Sequence, residues 1–97
     1  MILVEQKNII IEVLQPFNPK IIGIFGSFTR NENNYNSDLD ILVEFRKTVN
    51  LLDIIGVEIR LSELLNLKVD LVTKKAVPPM LASNIDKDLQ RIFHEER

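Results

Sequence analysis

At 97 residues the chain has room for one domain, and 45% hydrophobic with 27% charged side chains is ordinary globular usage that argues against a disordered or fibrous protein. Twelve basic against fourteen acidic side chains give a net charge of −2, which excludes a surface built to coat polyanions, so no direct nucleic-acid contact is expected. Cysteine is absent and His94 is the single histidine, which excludes disulfide frameworks, thiolate zinc sites and histidine metal centres.

The apolar start carries Glu5, Lys7 and Glu12 without a basic leader, and no window approaches the roughly 18 apolar residues of a membrane span. A cytoplasmic single domain over 1–97, with no membrane contact, is the expectation. Leu3, Ile10, Leu14 and Phe17, widened by Ile9 and Val13, have helical spacing and predict a first helix up to Pro16. After Pro16 and Pro19, the apolar run Ile21, Ile22, Ile24 and Phe25, rich in β-branched residues, predicts a strand buried on both faces and ending at Gly26. Between Thr29 and Ser37 the chain turns polar, with Asn31, Asn33, Asn34 and Asn36, which predicts a helical turn and a surface loop.

The stretch Asp38–Phe45 alternates strictly, so Asp38, Asp40, Leu42 and Glu44 share one strand face while Leu39, Ile41, Val43 and Phe45 share the other. From Leu51 to Leu65 the aliphatic positions predict a helix capped by Asn66, with an apolar surface broader than one sheet contact needs. Part of that surplus, or the stripe of the last helix, is expected at an interface. Lys68–Thr73 predicts a third strand with Asp70 turned away from Val69 and Leu71. Pro78 and Pro79 open a last helix expected to carry Leu81, Ile85, Leu89 and Phe93 as one stripe. The fold class is therefore α/β, a small mixed sheet with helices packed on one face.

Three features of this chain bear on chemistry. Gly26 and Ser27 close the first strand, where a missing side chain lets a phosphate approach the backbone and a hydroxyl adds a donor. Asp38 and Asp40 project from one face of the second strand, and Asp70 adds a third carboxylate from the candidate neighbour. Clustered carboxylates repel unless they face solvent or a cation, and they suit magnesium, which takes oxygen ligands and leaves room for phosphates. Arg30, three residues after Ser27, can reach the same phosphates. Ser37, just before the aspartate pair, either pins the loop locally or joins the nucleotide site. Taken singly, each motif is as compatible with a turn or a solvated strand face.

Together, GSFTRNENNYNSDLDILVEF resembles the signature of the DNA polymerase β-like nucleotidyltransferase superfamily, and LLDIIGVEIRLSELLNLKVDLVT resembles the helix and third strand of its minimal nucleotidyltransferase (MNT) branch. The resemblance implies that Gly26 and Ser27 hold the triphosphate of ATP as substrate and that Asp38, Asp40 and Asp70 bind two Mg2+ ions. It also implies that Asp70 helps deprotonate the attacking hydroxyl. Asn31 stands after Arg30 where many members carry glycine. MNT proteins are similar to antitoxins that move AMP from ATP onto a tyrosine of a HEPN ribonuclease toxin, so a hetero-complex with a HEPN-type toxin is the implied partnership. Neutralisation by binding alone, or nucleotidyl transfer to a small molecule with a helical subunit, are the rival readings.

Overall fold

A computed structural model describes residues 2–26 and 38–95. The first helix, α1 (Val4–Leu14), buries Ile10 and Leu14 completely, and its first turn is closed by the Leu3 amide donating to Gln6 Oε1 at 2.8 Å. A single 3-10 turn at Gln15–Phe17 follows, and Asn18 adopts φ +58°. Asparagine tolerates that left-handed backbone, and it lets the chain reverse into β1 (Pro19–Phe25).

The sheet has the order β3-β2-β1-β4, with β2 at Leu39–Phe45, β3 at Val69–Thr73 and β4 at Gln90–His94. β1 runs antiparallel to both β2 and β4, whereas β2 and β3 are parallel. Parallel strands need a crossover, and α2 (Leu51–Leu65) supplies it. The ends of α2 match its sequence: Asn50 Oδ1 accepts from the Asp53 amide at 2.8 Å, and Asn66 closes the helix at φ +55°.

Alternation settles the two faces. Ile22, Ile24, Leu39, Ile41 and Val43 are at most 1% exposed and form the core with Ile10, Leu14 and Leu61 of α1 and α2, which pack on one face as expected. The opposite face carries Phe25, Asp40, Leu42 and Asp70. There Leu89 lies over Gly23, whose pair partner Leu42 is only 6% exposed; a side chain at Gly23 would run into Leu89 Cδ1 at 2.5 Å.

The last helix departs from expectation. α3 (Pro79–Asp88) begins at its prolines as predicted, but Leu89 is extended and Gln90–His94 form the fourth strand, so Phe93 pairs with Ile22 rather than continuing a helical stripe. The reason is tertiary: β1 would otherwise present a row of unpaired amides and carbonyls along its free side, and β4 pairs them. The apolar surplus of α2 is real. Leu51, Leu52, Ile59 and Leu64 are between 50% and 80% exposed. Among the described residues, no helix is long and apolar enough to cross a membrane.

Candidate active site

The parallel pairing of β2 and β3 sets Leu39 beside Val69 and Asp40 directly beside Asp70, two carboxylates on one face of adjacent strands. Such strands lie about 4.8 Å apart, so two like charges are held close by the backbone itself. Antiparallel pairing sets Phe25 opposite Asp40 and brings the end of β1 to the same place. Gly26 follows with φ +81°, and a Cβ built on it would collide with Asp40 Oδ2. Glycine is needed here twice over, for a backbone that L side chains rarely adopt and for the space that the Asp40 carboxylate fills. The sequence reading of Gly26 as a bare approach to phosphate did not anticipate this second use.

Asp38 stands just before β2, 38% exposed at its side chain, with Oδ2 3.7 Å from Lys68 Nζ. The strand starts are locked together there by the Leu39 amide, which donates to the Lys68 carbonyl at 2.8 Å. The structure thus brings Asp40 and Asp70 into register and Gly26 against Asp40, and draws Asp38 toward Lys68. Among the described residues, no three acidic or histidine side chains stand close enough to share one ion. Ser27, Arg30 and Ser37 lie outside the described residues. As a donor set, Asp40 and Asp70 suit a hard cation: both carry carboxylates on one sheet face, and Gly26 leaves the space that the Asp40 carboxylate fills.

Among the described residues, the concavities lie away from these acids. One of about 440 Å³ sits at the far ends of β2 and β3, walled by Phe45, Val49, Ile54 and Thr73, and one of about 670 Å³ runs between α1 and α2 beside Phe17, Leu52 and Leu64. Glu58 and Ser62 of α2 were not singled out from the sequence, yet both bond the backbone of β3 next to Asp70. Their four-residue spacing was visible, but nothing in the sequence said which strand edge they would meet.

A glycine-closed strand followed by in-register aspartates on the next two strands is the arrangement expected of a polymerase β-type catalytic core, and the profile of that family, polymerase beta nucleotidyltransferase, matches residues 8–97. The chain belongs to the polymerase β nucleotidyltransferase family. This nucleotidyltransferase is 38% identical over 78 residues to a protein of Thermococcus cleftensis named protein adenylyltransferase MntA, covering 80% of this chain and 79% of the relative. Its fold also superposes on solved structures. A toxin–antitoxin crystal structure with AMP-PNP matches with a TM-score of 0.84 and 24% identity, over 93% of this chain and 74% of that one. A complex of a tri-AMPylated Shewanella oneidensis HEPN toxin with an MNT antitoxin matches with a TM-score of 0.77 and 22% identity, over 94% of this chain and 71% of that one. At these identities the structural likeness establishes the fold, which among the described residues is a four-stranded mixed sheet with three α-helices, and a structure of a putative minimal nucleotidyltransferase matches it with a TM-score of 0.78 and 27% identity, over 89% of this chain and 88% of that one.

Proposed function

We propose that this nucleotidyltransferase is an antitoxin that transfers AMP from ATP to a tyrosine hydroxyl of a HEPN-type toxin. The observation that carries the reading is the register of Asp40 against Asp70 with Gly26 bent around the Asp40 carboxylate, in a chain whose relative is named for protein adenylyl transfer. In the proposed step the tyrosine oxygen attacks the α-phosphorus, the new O–P bond forms, the bond to pyrophosphate breaks, and Asp70 takes the hydroxyl proton. On this reading Gly26, Ser27, Arg30 and Ser37 are the nucleotide-binding residues.

Asp38, Asp40 and Asp70 would hold magnesium, Asp38 turning from its exposed contact with Lys68 to do so. When bound, the ions offset charge on the attacking and leaving oxygens. The apolar residues left exposed on α2 give a protein acceptor a surface to dock on, and docking supplies the alignment of one hydroxyl with the phosphorus. An adenylyl group then adds bulk and negative charge to the toxin.

The test is to incubate or co-express a HEPN-type partner with the wild-type chain or with Asp70→Asn, in ATP and magnesium, and to read partner mass and toxicity together. Mass increases of whole adenylyl groups with wild type only, parallel to protection, are expected. Full protection by Asp70→Asn, with no mass increase from wild type, would establish neutralisation by binding alone and defeat the enzymatic reading. Label appearing on a small molecule instead would point to the third alternative.

A further inference from the structure

Asp70 belongs to β3, an edge strand, and the position of its carboxylate depends on what holds that edge. Parallel pairing uses one side of β3; on the other side the amides of Val69 and Leu71 point away from β2. Edge amides usually face water, but these two are taken by α2. Glu58 Oε2 accepts from the Leu71 amide at 2.7 Å, and Ser62 Oγ accepts from the Val69 amide at 3.0 Å. Ser62 Oγ also donates to the Glu58 carbonyl at 2.8 Å, which ties the two anchors together. They bracket Asp70 by one residue on each side.

The direction of approach separates Glu58 from the acids of the site. α2 lies on the core face of the sheet, whereas Asp70 projects from the opposite face, so Glu58 reaches the outer edge of β3 and ends on backbone. A carboxylate accepting from an amide makes a shorter, stronger bond than a neutral acceptor, which suits an anchor that must not slip. We propose that Glu58, seconded by Ser62, is a positioning residue for Asp70: it clamps β3 so that the Asp70 carboxylate stays level with Asp40 while ATP and the acceptor hydroxyl are brought together. This rests on the role given to Asp70 above.

The test compares Glu58→Ala, Glu58→Gln and Ser62→Ala in the full chain with its toxin acceptor. Amide exchange at Leu71 is read without metal, magnesium binding by calorimetry with a non-hydrolysable ATP analogue, and kcat and the ATP KM by transfer. Glu58→Ala should speed exchange at Leu71, weaken magnesium binding and lower kcat by about 10-fold, the lower range for a residue that orients a metal ligand, while the ATP KM stays near wild type. Glu58→Gln keeps an acceptor and should lie within about 2-fold of wild type, as expected for a weaker neutral bond in the same place. Ser62→Ala, which leaves the Glu58 anchor, should shift the same quantities in the same direction and guards against an alanine variant of Glu58 that fails to fold.

Faster exchange at Leu71 with unchanged magnesium binding and kcat would make the contact purely structural and overturn the proposal. So would Glu58→Gln as impaired as Glu58→Ala, because charge rather than position would then be at work. A wild-type chain that modifies no partner would remove the adenylyl-transfer reading itself, and is told apart because the calorimetric and exchange differences between variants would persist.

Discussion

Gly26→Ala probes the site most directly, because one methyl group is set against two constraints. The backbone at Gly26 has φ +81°, where an L residue is disfavoured by about 1–2 kcal/mol. For a domain near this size that corresponds to a fall in Tm of roughly 4–16 °C. The second constraint is local: the new Cβ would run into Asp40 Oδ2, with Asp40 Cγ next at 3.4 Å and Asp40 Cβ at 3.7 Å, so the carboxylate must move out of register with Asp70. A displacement of that order at a reacting centre costs about 100-fold in rate. Thermal unfolding followed by circular dichroism and adenylyl transfer to the toxin measure the two effects separately. The informative outcome is a disproportion, a variant still folded at the assay temperature but nearly inactive. A variant that matches wild type in both Tm and transfer would refute the account of Gly26, since neither the backbone nor the Asp40 contact would then be constraining.

Gly56→Ala is the matched opposite: it lies inside α2 with open space where a Cβ would stand, so it should raise stability by about 0.5–1 kcal/mol in denaturant titration. Leu61→Ala, at a fully buried position of α2, should lower stability by about 2–5 kcal/mol, seen as a reduced urea midpoint with little change in slope. Asp40→Asn and Asp70→Asn should leave the circular dichroism spectrum and Tm close to wild type while transfer to the partner falls below detection; retained transfer in either would mean that the pair is a solvated strand face.

Hydrophobic period and caps were enough to place α1, α2, β1, β2 and β3, because each of these segments carries its own instruction. Asn50 and Asn66 bound α2, strict alternation sorts Leu39, Ile41 and Val43 from Asp40, and Pro79 opens α3. Gly26, Asp38, Asp40 and Asp70 stood out as candidates only jointly and through the family resemblance, since each alone fits a turn or a solvated strand face. What the sequence by itself could not decide was every relation between segments distant in the chain. Leu81, Ile85, Leu89 and Phe93 keep a spacing of four that reads as helix, but the unpaired side of β1 claims Gln90–His94 as a strand, and that demand exists only once β1 is in the sheet. Asp40 meets Asp70 because β2 and β3 pair in parallel with one particular register, and a slip of one residue would send Asp70 to the core face. Likewise, the space that Gly26 leaves is needed only because Asp40 stands against it, a second demand beside its backbone at φ +81°, and Glu58 matters only because α2 passes along the free edge of β3. Local pattern determines which elements form and which side chains they expose; the pairing of strands and the passage of a helix along an edge decide which of those side chains meet, since such contacts depend on backbone geometry that no single segment encodes.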